Sequence, residues 1–250
     1  METDLKGRVA FITGATSGLG RHFAELLAKN GAAVAVTGRR TERLAELVDG
    51  IARNGGRAKA IALDVTDASQ IAPALDKAEA ALGSIDILIN NAGMSVQGLA
   101  TDVTAEGFDQ VMDTNVRGPF LLATEMARRM IKRGKGGRII NMASMGSFRV
   151  LPGLVSYCTS KAALAMLTQS LAREWARYGI NVNALCPGYI ETELNSAWFQ
   201  GEKGKAQIKS FPRRRLAEEA DLDGMLLLLC SDASRAITGS LLTVDDGQSL

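Results

Sequence analysis

Thr13-Gly14-Ala15-Thr16-Ser17-Gly18-Leu19-Gly20 follows the short β-branched run Arg8–Thr13 and opens the amphipathic stretch Leu19–Asn30. A strand feeding directly into a helix through three glycines is the start of a βαβ unit. Gly14 permits a tight turn. Gly18 lets a backbone approach a pyrophosphate, and Gly20 lets helix and strand pack closely. The helix N-terminus then presents free N–H groups and the positive end of its dipole to phosphate. The glycine spacing is not G-x-G-x-x-G, because three residues separate the first pair and one the last. Taken alone, it is compatible with a glycine-rich turn that holds no ligand. Its place between strand and helix favours a nucleotide site.

Outward from this turn the same alternation continues. Strands are expected at Ala33–Thr37, Ala58–Leu63, Ile85–Asn90, Gly137–Met142, Ile180–Leu185 and Leu241–Val244. Helices are expected at Glu42–Asn54, Asp67–Leu82, Glu106–Lys132, Ser156–Tyr178 and Leu216–Cys230. Strands joined by helical crossovers form a parallel sheet covered on both faces. Right-handed crossovers make the expected fold an α/β, Rossmann-type doubly wound sheet. No linker divides the chain, so residues 1–250 read as one domain. Glu191–Arg215, rich in Gly, Lys and polar residues, reads as irregular, either a substrate lid or a surface insertion.

Composition narrows the function. Of 250 residues 46% are hydrophobic, enough for a large core, and the net charge of +2 points to neither nucleic acid nor an anionic membrane. The longest apolar run, Met225–Cys230, is too short to span a bilayer. Polar METDLKGR at the start reads as no signal peptide. Cys158, Cys186 and Cys230 are scattered, and His22 is the only histidine, so neither a disulfide framework nor a metal centre is expected. A reducing cytoplasm is the expected setting.

Strand two ends in Thr37-Gly38-Arg39-Arg40. An acidic residue here binds the ribose 2′-hydroxyl of NAD, whereas arginine accommodates the 2′-phosphate of NADP. Gly38 takes the place of the acid, and Arg39 and Arg40 offer guanidinium forks, so NADP(H) is the expected cofactor, ahead of NAD(H). Tyr157 and Lys161, four apart, share one helix face. An ammonium near a phenol favours the phenolate, which makes the pair a candidate acid/base unit. Ser144 stands at the carboxyl end of strand five, where such sheets face their ligands.

Together these features resemble the short-chain dehydrogenase/reductase family, in its single-domain form, and are similar to 3-oxoacyl acyl-carrier-protein reductases and related ketoreductases. The resemblance rests on TGATSGLG at 13–20, LDV at 63–65, NNAG at 90–93, Asn115 in NVRG, Ser144, Tyr157-Cys158-Thr159-Ser160-Lys161 and Pro187-Gly188, all in the family's order. It implies hydride transfer between NADP(H) and a ketone or secondary alcohol. By that resemblance Tyr157 is the general acid in reduction, and Lys161 lowers its pKa and holds the nicotinamide ribose. Ser144 orients the substrate oxygen. Asn115 distorts its helix and holds a water in a proton relay. Gly14, Thr16, Ser17, Gly18, Leu19 and Gly20 cradle the phosphates. Asp64 and Val65 contact adenine, and Asn91, Ala92 and Gly93 border the riboses. Pro187 and Gly188 lead to Ile190 and Thr192, which contact carboxamide and phosphate. Two departures are visible. Asp246-Gly247 stands where the family usually has two glycines, and Glu219 replaces a common proline.

Met94, Ser95, Val96, Phe148, Leu151, Tyr189, Trp198 and Phe199 are the expected pocket walls, mainly apolar and suited to a ketone with hydrocarbon substituents. Lys203, Lys205, Lys209 and Arg213–Arg215 form a basic cluster that suits the phosphates of coenzyme A or an acyl carrier protein, or is a solvated face. The helix Ser156–Tyr178 is apolar all round, so one side is expected on the sheet and the other on a partner subunit, giving a homotetramer or homodimer. The competing functions are an NAD-linked secondary-alcohol dehydrogenase and a nucleotide-binding sensor without turnover.

Overall fold

β1 (Val9–Ile12) pairs in parallel with β2 (Ala33–Gly38) on one side and with β4 (Ile87–Asn90) on the other. The computed structural model describes residues 4–191 and 195–250. β3 (Arg57–Ala62) lies outside β2, and β5 (Gly137–Met142), β6 (Ile180–Pro187) and β7 (Leu241–Val244) continue beyond β4. The order is β3-β2-β1-β4-β5-β6-β7, with every pairing parallel. The chain thus winds one way to β3, then returns to the far side of β1. The reversal between β1 and β4 leaves a crevice at their carboxyl ends, where such sheets bind ligands.

Alternation along the strands fills both faces. Ile12, Val36, Ile89 and Ile140 meet α1 (Gly18–Lys29), α2 (Thr41–Arg53) and α9 (Asp223–Cys230) through Phe23, Leu47 and Leu226. Phe11, Ala35, Leu88 and Ile139 meet α3 (Ala68–Leu82), α5 (Gly118–Arg133) and α6 (Val155–Trp175) through Leu75, Met126 and Leu171. Burying one such Leu or Phe contributes roughly 1.5–3 kcal/mol. Truncating Leu88, fully buried in the centre, to alanine costs about 2–5 kcal/mol.

Three sequence expectations change. The long helix expected at 106–132 is α4 (Ala105–Met112), a π turn (Asp113–Arg117) and α5. Pro119 explains the break, since its ring would clash with the carbonyl four residues back, at Asn115, in a regular helix. The stretch read as irregular carries α7 (Ser196–Gln200) and α8 (Glu202–Ser210). The helix expected from Leu216 begins later: Ala217 bridges to Ile190, a 3₁₀ turn spans Glu219–Leu222, and α9 follows. α6 buries its sheet side and leaves Met166 63% exposed on the other.

Candidate active site

At the crevice the loops after β1 and β4 lock together. Thr13 Oγ1 accepts from the N–H groups of Asn91 and Ala92, each at 3.0 Å. Asn91 Nδ2 donates to the carbonyls of Thr13 and Gly14, at 3.0 and 3.2 Å. Gly14 has φ +67°, and a Cβ there would stand 2.8 Å from the Ala92 Cα. A Cβ on Gly20 would collide with the Gly14 carbonyl. Both positions therefore require glycine for this approach. The N-cap of α1, Ser17, is extended and makes no side-chain cap. Without a side-chain cap, the N–H groups of the first turn, around Gly18 and Leu19, are oriented for an anion.

The second loop carries the expected arginines. A Cβ on Gly38 would meet the Thr16 Cγ2 at 2.9 Å, so an acidic side chain enters only if Thr16 shifts. Arg40 lies across the glycine-rich loop, donating to Thr16 Oγ1 at 2.6 Å and Ser17 Oγ at 2.8 Å. Arg39 is well exposed, 4.0 Å from Asp64 Oδ2. Asp64 Oδ1 accepts from Thr66 N and Thr66 Oγ1. Val65 is buried, with its carbonyl close to Gly118.

Beyond β5, Ser144 caps a 3₁₀ turn, its Oγ accepting from Gly146 N at 3.0 Å. α6 places Tyr157 and Lys161 on the face toward it. Ser144 Oγ and the Tyr157 ring border the same point, since a Cβ on Gly146 would lie 3.4 Å from the one and 3.5 Å from the ring Cε1. Lys161 is buried, its Nζ 5.5 Å from the Tyr157 ring centre and donating to the Met142 carbonyl at 2.6 Å. Burial draws the lysine pKa down to about 8. In the chain by itself the Tyr157 pKa lies above its ordinary value. Burial pushes the phenol up, and the neighbouring Ser144 hydroxyl opposes this only in part. Desolvation of the anion is the dominant cause.

Asn115 lies in the π turn, fully buried. Its Oδ1 accepts from Met94 N, and its Nδ2 donates to Met94 O and Ser160 Oγ, all at 2.9 Å. It thereby fixes the loop after β4 to the helix of Tyr157. A Cβ on Gly93 would lie 3.4 Å from Asn115 Oδ1 and 3.6 Å from Lys161 Nζ, so residue 93 borders both.

β6 ends at Pro187, and Gly188 packs against Asp245 and Gln248. Ile190 pairs with Ala217, while Thr192 lies outside the described residues. Among the expected walls, Leu151 and Phe199 are buried, whereas Phe148 and Trp198 remain open to solvent. Tyr189 stacks on Phe211 at 5.6 Å and meets Phe199 edge-on at 5.5 Å. Phe211 had no distinguishing signal in sequence. The basic cluster is not one open patch. Arg213 and Arg215 pair with Asp246, Arg215 also with Asp221, and Lys205 lies 3.5 Å from Glu202.

Residues 14–249 match the family model described as enoyl-(acyl carrier protein) reductase. The chain is 38% identical over 249 residues to the NAD-dependent glycerol dehydrogenase of Listeria innocua, covering 99% of this chain and 96% of that protein. It is 34% identical over 248 residues to the 3-oxoacyl-(acyl-carrier-protein) reductase of Aquifex aeolicus, covering 99% of each. A crystal structure of a gluconate 5-dehydrogenase from Burkholderia cenocepacia J2315, in complex with NADP and tartrate, superposes with a TM-score of 0.94 at 37% identity, over 99% of this chain and 97% of that one. This chain belongs to the short-chain dehydrogenase/reductase family. It is an oxidoreductase that works with a nicotinamide dinucleotide, and the close backbone approach at Gly14 and Gly20 fits the pyrophosphate of such a group.

Proposed function

We propose that this chain is an NADP(H)-dependent ketoreductase, acting on CH–OH groups through Ser144, Tyr157 and Lys161 with Asn115 in support. The observation that carries it is the placing of the Ser144 hydroxyl and the Tyr157 ring about one point at Gly146, with Lys161 buried one turn along the helix from Tyr157. When bound, the nicotinamide supplies the hydride. Tyr157 then gives its proton to the substrate oxygen while Ser144 donates a hydrogen bond to it, so two donors meet the charge as it develops. Lys161 would hold the nicotinamide ribose, with Asn91, Ala92 and Gly93 beside it. Asp64 and Val65 would contact adenine, and Pro187, Gly188, Ile190 and Thr192 the nicotinamide end.

Gly38 against Thr16, with Arg39 and Arg40 beside the glycine-rich loop, supports NADP(H). NAD(H) is the second reading, favoured by the L. innocua relative named as NAD-dependent. Tyr189, Phe199, Phe211 and Leu151 suit a ketone with hydrocarbon substituents, under a lid spanning residues 191–215. The open faces of α5 and α6, with Phe120 and Met166 exposed, suit a homotetramer or homodimer in the cytoplasm. No described helix is long and apolar enough to cross a membrane.

Nicotinamide absorbance tests the reading, with purified protein, NADPH or NADH, and a panel holding a β-keto ester, acetoacetyl-CoA, a cyclic ketone and an aryl ketone. The expected result is turnover with NADPH that Tyr157→Phe abolishes. Equal turnover in Tyr157→Phe would overturn it.

A further inference from the structure

Asp246 occupies a conformation that side chains rarely adopt, with φ +58°. It stands where the family's pattern has a glycine, the residue that tolerates this backbone freely. Something must compensate for the strain. Its carboxylate is nearly enclosed, with its side chain 12% exposed, and it faces two guanidinium groups. Oδ1 lies 3.1 Å from Arg213 Nε, and Oδ2 lies 2.8 Å from Arg215 Nε. Arg214 between them also has positive φ, +53°. The turn Pro212–Arg215 and the turn Asp245–Gly247 are thus folded onto one another. A Cβ on Gly247 would touch Pro212 at 3.5 Å.

Pro212–Arg215 is the returning stem of the segment that carries α7 and α8. The departing stem is held by the same C-terminal turn. Gln248, buried, accepts from Tyr189 N at 2.6 Å. The two stems are tied to each other as well, Ala217 N donating to Tyr189 O at 3.0 Å. Asp245 stiffens the turn from within, accepting from Gly247 N and Ser249 N. The C-terminal residues also reach the loop after Ser144, where Arg149 donates to the carbonyls of Ser249 and Leu250.

We propose that Asp246 is a positioning residue for substrate binding. Its paired contacts with Arg213 and Arg215 clamp the stem of the 191–215 segment and so set where Phe199 and Phe211 stand against Tyr189. This rests on the reading of that segment as the substrate lid. Asp246 makes its contacts with the stem and not with Ser144, Tyr157 or Lys161, so it governs the capture of substrate rather than the chemical step.

Two variants test it, on the full chain. Asp246→Asn tolerates the backbone conformation and removes the charge. Asp246→Gly relieves the strain and removes the side chain, so its folding is not expected to suffer. Limited trypsin digestion, read by mass spectrometry, follows cleavage after Lys203, Lys205 and Lys209. Loss of a partly enclosed charge pair predicts cleavage about threefold to tenfold faster in both variants. Rising salt should accelerate cleavage in the parent and not in Asp246→Asn. In the ketone assay, KM for the ketone should rise by a similar factor, with kcat and the NADPH dissociation constant unchanged. Parental cleavage rates and KM in both variants would overturn the proposal. So would faster cleavage throughout the chain with a lower Tm, which would make Asp246 a general stabiliser. The digestion needs no turnover, so it decides the clamp even if the ketoreductase reading fails.

Discussion

Lys161 donates its Nζ proton to the main-chain oxygen of Met142 at 2.6 Å, from an enclosed position beneath Tyr157. Burial holds its pKa at about 8, against 10.5 for a free lysine. Between these values the unfolded chain binds a proton that the folded chain lacks, so this group makes stability rise as pH rises from about 8 to 10.5. Below that window the penalty is constant. Lys161→Met removes it and gives up the hydrogen bond. The cofactor-free variant should be about 2 kcal/mol more stable than the parent at pH 7. The gap should close by pH 10. Urea unfolding of both proteins from pH 7 to 10 checks this, and a constant gap would refute it.

Ser144 is the one partner that draws the Tyr157 pKa downward against burial among groups that otherwise raise it. Ser144→Ala should therefore raise the phenol pKa further, moving the alkaline fall in ketone reduction to higher pH. It should also remove a donor to the substrate oxygen, lowering kcat about 10²- to 10³-fold. A pH profile of kcat/KM reads both effects. An unmoved alkaline limb would separate Ser144 from Tyr157.

Cofactor choice rests on Gly38, Arg39 and Arg40. Arg39→Ala should weaken NADPH about tenfold to a hundredfold, the value of a charge-assisted hydrogen bond to phosphate, and leave NADH nearly unchanged. Gly38→Asp should disfavour NADPH more strongly, and its side chain must displace Thr16 to enter. Fluorescence titration with both cofactors measures the ratio. Equal losses for both cofactors in Arg39→Ala would remove the basis for NADP(H) preference.

Asn115→Ala leaves the Met94 backbone groups and the Ser160 hydroxyl without their shared partner. Buried groups left unpaired make the loss about 2–4 kcal/mol. At about 2–4 °C per kcal/mol for a chain of this size, Tm should fall by roughly 5–15 °C. Asn115→Asp keeps the acceptor for Met94 N but sets a buried carboxylate oxygen against the Met94 carbonyl, so its Tm should fall at least as far. A Tm change under 2 °C in Asn115→Ala would show that the bridge between loop and helix is unimportant.

Most of the sheet was legible because strand periodicity and the Gly-rich turn carry local signals. Ser144, Tyr157 and Lys161 were found through spacing and family pattern. What escaped was set by tertiary contact. The two helices after residue 195 are short and polar, and Gly201 and Gly204 conceal their helix-forming Lys, Glu and Gln residues. The helix distortion at Asn115 was by contrast implied by the family resemblance, and the π turn there agrees with it. The direction of the Tyr157 shift depends on how deeply the ring is buried, which no spacing reveals. Asp246 was visible only as a departure, and its partners at 213 and 215 lie 33 and 31 residues away in sequence.

The crossing from β3 back to β4 also has a consequence for synthesis. β1 emerges first, yet Phe11 pairs with Leu88, seventy-seven positions later. At about 5–20 residues per second, a ribosome leaves that flank of β1 uncovered for several seconds. For that time Phe11 and Ile12 form a sticky edge able to pair with a neighbouring nascent chain. Thr13 has no Asn91 to bind until the same moment, so the phosphate cradle and the centre of the sheet are completed in one event.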